Sequence, residues 1–253
     1  MENTTGNNVE AIIEKELSDV YRVIKVMNQN TKRILRLLKE SIKLSELSDN
    51  KIQFADYMND VVRAAVVFLH SLLETTLREI VRIKIINDPA LIQTNLSGQL
   101  TFPNRKEKIS LSELIQYREK LIGDIVDESV NAYLVNLSFN SSNDIADIFK
   151  KIKLDQSSLK QYYPVLDEIT QRRHQIVHEA DFVRWQDPPV LQKIDPKKIK
   201  PWIDSTHEFC VQALKLLVDS VYLDKIVDRL AENGIQVDKL QVSKWISINV
   251  EEK

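Results

Sequence analysis

From Val9 to Leu47 apolar residues recur every three or four positions, and no proline or glycine interrupts them. Ile12, Ile13, Leu17, Val20, Ile24 and Met27 are followed by Ile34, Leu35, Leu38 and Ile42. With about 3.6 residues per turn, that period gathers them on one stripe of a helix. Ser48-Asp49-Asn50 then makes a turn with N-cap residues, and a second helix runs to about Ile86. It carries Phe54, Val61, Val62, Ala65, Phe68, Leu69, Leu72, Leu73, Leu77 and Ile80, and stops at Asn87-Asp88-Pro89. Two long helices joined by so short a turn must lie antiparallel, each burying a stripe. Only 4 Gly and 7 Pro occur in 253 residues, too few for the turns of a β-rich fold. The expected class is all-α, an antiparallel helical bundle with two long helices at its front and a short C-terminal tail.

The remaining chain continues in helices. Residues 88–109 hold Gly98 and Pro103 without a clear period. Ser110-Leu111-Ser112-Glu113 has capping-box spacing and opens a third helix, with a bend expected at Gly123. Ser141-Ser142-Asn143-Asp144 caps a short helix to about Ile152, and a helix from Pro164 to Glu179 follows. Asp195-Pro196 starts a last long helix that ends at Asn233 before Gly234. Phe182-Val183-Arg184-Trp185 and the alternating Trp245–Val250 read as short strands. The expected organisation is a loose tail over 1–8, one helical domain over 9–235 and a tail over 236–253. The N-terminus lacks an apolar signal core, and the stretch Ala64–Leu73 is too short to span a bilayer. With Cys210 as the single cysteine, no internal disulfide forms, and a cytoplasmic protein is expected. The formal net charge is −2, so any nucleic-acid binding must rest on a local patch.

The chemistry concentrates in Arg172-Arg173-His174-Gln175-Ile176-Val177-His178-Glu179. Two of the 4 histidines fall here, one helical turn apart. Imidazoles move protons near neutral pH, and a guanidinium grips phosphate with a planar fork. Arg173 lies roughly 140° round the helix from His178 and about 7.5 Å along it, so it flanks the histidine face. One copy cannot easily set a base and an acid on opposite sides of a phosphate. Two copies about a two-fold axis oppose their His178 residues, which predicts a homodimer packed through this helix. Other readings use the same residues. Cations at a helix C-terminus stabilise its dipole. The i, i+4 histidines also have metal-ligand spacing, with Glu179 or Asp181 helping, although no further Cys/His pair lies nearby.

Arg173 to His178 resembles the signature of the HEPN superfamily: an arginine, a polar residue, a few spacers and a histidine. Residues 168–181 are similar to the motif helix of its RNase L-related, RiboL-PSP-like bacterial branch. Phe68 to Arg78 resembles the second long helix of such proteins, and the likeness extends architecturally from about residue 10 to 233.

The resemblance implies a metal-independent endoribonuclease, without metal or other cofactor, that leaves 2′,3′-cyclic phosphate ends. His178 would serve as base or acid for the ribose 2′-OH and the leaving oxygen. Arg173 would stabilise charge on the phosphate, and His174 would orient the groove or contact substrate. The implied partners are RNA, a second copy of the chain, and a neutralising antitoxin or an activating partner, in a toxin or phage-defence role. HEPN toxins silenced by a nucleotidyltransferase often carry Tyr two residues after the histidine, where this chain has Ala180. For His70 and Glu74, one turn apart, an ordinary polar patch is the preferred reading. The likeness adds Glu74 as a residue that holds the motif arginine. Arg172, Arg184, Lys197 and Lys198, with Lys193 and Lys200, form a basic cluster that is a solvated face or a guide for the RNA backbone. The alternative to an enzyme is a non-catalytic HEPN module that binds RNA, nucleotide or protein.

Overall fold

The computed structural model describes residues 2–46, 51–88, 90–94, 115–183 and 190–244. Its helices are α1 (Glu2–Glu16), α2 (Ser18–Glu46), α3 (Lys51–Asn87), α4 (Ala90–Thr94), α5 (Ile122–Val135), α6 (Ser142–Lys151), α7 (Tyr163–His178), α8 (Ile199–Val221) and α9 (Leu223–Glu232). Short 3₁₀ turns precede α5, α7 and α8 at Ile115–Tyr117, Ser157–Tyr162 and Pro196–Lys198. Among the described residues there is no sheet, only one antiparallel bridge between Phe182 and Leu191. The all-helical class expected from the sequence is the class observed.

The centre of the bundle is α3. From Val61 to Ile85 it buries residues nearly all round: Val62, Ala65, Val66, Leu69, Leu73, Leu77, Ile80 and Val81. A helix apolar on every side must be surrounded, and α3 packs against α2, α5, α7 and α8. The stripe on α2 is narrower, with Val20, Val23, Ile24, Met27 and Ile34 buried at helical spacing. The second inner helix is α8, which buries Trp202, Ile203, Phe209, Leu214 and Leu217. Cys210 sits wholly inside it, and burial pushes its thiol up to about 12, so it stays a protonated, unreactive core residue.

Two expected long helices are divided. The run from Val9 to Leu47 is interrupted at Leu17, although Leu17 N–H still donates to Ile13 O at 2.9 Å and Tyr21 N–H to Leu17 O at 2.9 Å. The junction lets α1 lie on α9 while α2 lies on α3 and α8. The last run breaks at Tyr222 for the same reason, sending α9 back to α1. Gly234 ends α9 at φ +75°, with Ile235 N–H donating to Leu230 O and Gly234 N–H to Ala231 O, both at 2.9 Å.

Boundaries differ in two more places. Helix α1 begins at Glu2, inside the segment read as a loose tail; once a helix is nucleated, adding residues is cheap. The bend expected at Gly123 is a helix start instead. Leu121 is extended (φ −68°, ψ 147°), its N–H donates to Asp124 Oδ2 at 3.3 Å, and α5 begins at Ile122. Ser110–Glu113, Arg184-Trp185 and the Trp245–Val250 tail lie outside the described residues, and residues 239–244 are helical.

Candidate active site at the end of the motif helix

Helix α7 is opened by Tyr163-Pro164 and anchored by Leu166, Ile169 and Thr170, which face the core. Asp167 ties its start to α6: Ser142 N–H donates to Asp167 Oδ1 at 2.6 Å and the Ser142 hydroxyl to Oδ2 at 2.7 Å. Its last turns emerge into solvent, so His174, Val177 and His178 are exposed.

Arg173 and His178 meet. Nη1 of Arg173 lies 3.4 Å from Nε2 of His178, and the His174 and His178 rings stand 4.7 Å apart at 44°. The arginine therefore reaches round from its flanking position to the histidine face, and one guanidinium and two imidazoles share an open surface. Among the described residues no group of three or more His, Cys, Asp or Glu side chains is arranged to hold a metal ion.

Beyond His178 the backbone turns sharply. Ala180 and Asp181 both take left-handed conformations, φ +50° and +58°, which side-chain-bearing residues adopt rarely. Asp181 is 2% exposed and sits between two guanidiniums. Arg172 holds both carboxylate oxygens, with its Nη2 at 2.7 Å from Oδ2. Arg63 of α3 donates Nε–H to Oδ2 and Nη2–H to Gln192 O at 3.0 Å. Gln192 N–H returns to Asp181 O at 2.7 Å, and Val183 N–H to Val190 O at 2.7 Å. This clasp fixes the end of the motif helix to the bundle.

The remaining expected site residues are dispersed. Arg172 is 11% exposed and committed to Asp181, so it is not presented as a phosphate donor. Lys198 pairs with Glu168, which also accepts from Trp202 Nε1 at 3.0 Å. That hydrogen bond from Lys198 lowers the Glu168 pKa, and Glu168 in turn raises that of Lys198. Lys197 is exposed, with its backbone N–H 2.9 Å from Asp195 Oδ1. Together with Gln171, Gln175 and Lys193, several of these residues line a cleft of about 270 Å³ beside α7. Lys200 pairs with Asp204 at 2.8 Å. Arg184 lies outside the described residues. Glu74 faces Arg78 at 3.6 Å rather than Arg173, and Arg78 donates to Leu134 O and Leu137 O at the end of α5.

The family model of RiboL-PSP-HEPN domains matches residues 28–220. This chain belongs to the RiboL-PSP-HEPN family. No curated protein and no solved structure gives a match. HEPN domains are typically ribonucleases, and in this HEPN domain the matched span holds α3, α7 and the Arg173–His178 pair. No helix among the described residues is long and apolar enough to cross a membrane.

Two features of the HEPN domain escaped the sequence. The clasp partner of Asp181 is Arg63, 118 positions away, and no local pattern links them. His70, read as part of an ordinary polar patch, is 1% exposed.

Proposed function

We propose that this HEPN domain is a metal-independent endoribonuclease whose active site is completed by a second copy of the chain. The observation that carries the reading is the exposed Arg173–His178 contact at 3.4 Å, in a protein of this family. In the reaction, His178 of one copy takes the proton of a ribose 2′-OH as its oxygen bonds to phosphorus. The bond from phosphorus to the 5′ oxygen breaks, and His178 of the other copy protonates that oxygen. The products are a 2′,3′-cyclic phosphate and a 5′-hydroxyl. Arg173 neutralises charge gathering on the non-bridging oxygens, and His174 contacts the substrate beside it.

An isologous contact is supported by the apolar surface round the motif. Val177, Phe182, Val190 and Leu191 are 46%, 41%, 47% and 44% exposed. Lys193 and Lys198 line the cleft beside α7, and with the exposed Lys197 they guide the RNA backbone. A toxin or defence role, restrained by an antitoxin or released by an activator, fits an enzyme whose motif is this open.

The test is incubation of wild type and His178→Ala with total RNA and tRNA in EDTA, followed by analysis of the new 3′ ends. Cyclic phosphate ends from wild type alone are expected. A dimer that binds RNA and never cuts it overturns the reading in favour of a binding module.

A further inference from the structure

His70 occupies the inner face of α3 and is all but sealed from solvent, at 1% exposure. One ring nitrogen engages the backbone of Phe139, in the loop after α5. The other, Nε2, has no hydrogen-bond partner among the described residues. A buried polar atom left unpaired is costly and rare enough to call for a reason.

The charged groups that act electrostatically on this ring are Glu74 and Arg78 from α3 itself and Arg173 from the motif helix, which packs on α3. Burial lowers the His70 pKa, Glu74 opposes that shift, and Arg173 and Arg78 add to it. The ring is therefore neutral at neutral pH. A neutral imidazole that carries its proton on Nδ1 presents a bare lone pair at Nε2.

Arg173 has a use for such an acceptor. At present its guanidinium lies 3.4 Å from His178 Nε2, the atom that has to receive a proton. The guanidinium must leave that atom when phosphate enters. Glu74 already faces Arg78. Arginine carries five N–H donors in a fixed fork, so one edge can be anchored while another grips phosphate.

We propose that His70 is the positioning residue for Arg173: in the loaded site its Nε2 accepts one guanidinium N–H, and the remaining donors face the phosphate. The proposal rests on reading Arg173 as the phosphate-binding arginine, and it assigns the buried imidazole no proton transfer of its own. A protonated His70 cannot accept that bond and repels Arg173.

Two variants and one spectroscopic measurement test it. His70→Leu keeps the bulk and removes the acceptor; His70→Gln keeps an acceptor. His70→Leu is expected to lower kcat on the order of tenfold with KM little changed, and His70→Gln to retain most of the activity. Cleavage by His70→Leu at the wild-type kcat overturns the proposal. The second readout does not need cleavage or a stable variant at position 70. Protein with ¹⁵N-labelled histidine is titrated with a fully 2′-O-methylated oligoribonucleotide, which lacks the nucleophile. The His70 Nε2 resonance is expected to move from a bare-acceptor to a hydrogen-bonded position in wild type and to stay in place in Arg173→Ala. A resonance that does not move in wild type overturns the proposal. Wild type that shows the shift without ever cutting RNA upholds the positioning role and removes the nuclease reading. Wild type that cuts RNA without the shift does the reverse.

Discussion

Asp181 shows how much one side chain near the motif has to do. It is buried, left-handed and held by Arg63 and Arg172, each only 11% exposed. Removing one partner from a buried ionic cluster leaves the others desolvated and unpaired, which costs about 3–5 kcal/mol. Asp181→Asn keeps the size and the tolerance for left-handed backbone, so it isolates the charge. Its unfolding free energy in urea is expected to fall by about 3 kcal/mol; an unchanged midpoint would show the clasp to be ornamental. The histidines set a pH dependence. Burial lowers the pKa of His70 and of His207, whose Nε2 lies 3.0 Å from Asn28 Oδ1. Above the ordinary histidine value both folded and unfolded chains are neutral there, and stability is full. As pH falls through about 6.5 the unfolded chain takes up protons that the folded chain resists, so stability is lost until the folded-state pKa is passed. The melting temperature should drop between about pH 7.5 and 5.5, and drop less in a His70→Leu, His207→Leu double variant. At this scale the sequence was legible where chemistry is local. Arg173, His174 and His178 lie within six residues, so helix geometry puts the two imidazoles on one face with Arg173 within reach beside it. Arg172 is the counterexample. Its neighbour in sequence reaches the motif face, while its own guanidinium turns to a carboxylate nine positions on and a strand-like return that brings in Gln192.

Helices formed where the apolar period ran, because each stripe had a partner to bury it. Helix α3 spans Lys51–Asn87, within a residue of where the Ser-Asp-Asn turn and the Asn-Asp-Pro stop place it. Helix α6 begins where Ser141 caps it, its hydroxyl accepting from Asp144 N–H at 3.2 Å. What periodicity could not show was the change of partner along a run. The stripe is continuous through Leu17 and through Tyr222, yet α1 and α9 pack on each other while α2 and α8 pack on the centre. A period reports which side of a helix is buried and is silent about what buries it. The end of α9 was legible because glycine takes a left-handed φ at the least cost. Gly234 sits at φ +75°, and nothing within 4 Å would meet an added Cβ, so a substitution there tests backbone conformation alone. Gly234→Ala should cost about 1 kcal/mol, read as a lower urea midpoint with unchanged slope.

For the whole molecule, the question is whether one copy carries a complete site. A formal net charge of −2 provides no global field to capture RNA, so in the proposed enzyme both binding and cutting rest on the local arrangement round α7. In one protomer the His174 and His178 rings are neighbours at 4.7 Å on a single helix face. In the proposed reaction they would approach a phosphate from the same side, whereas in-line displacement needs a base and an acid on opposite sides. The apolar residues left open beside them, Val177, Phe182, Val190 and Leu191, form the surface that a two-fold contact would bury. Val177 lies at the centre of this argument, one residue before His178 and 46% exposed. A carboxylate there leaves the protomer core untouched and meets its own copy across a two-fold axis, where like charges repel. Val177→Asp is therefore expected to sediment as a folded monomer with a wild-type melting curve and to lose cleavage. Wild type should lose specific activity on dilution in step with its loss of dimer mass. A monomeric Val177→Asp that still cuts at the wild-type rate would mean that one chain supplies both proton-transfer groups. The second would then have to be His174, the only other imidazole on that face.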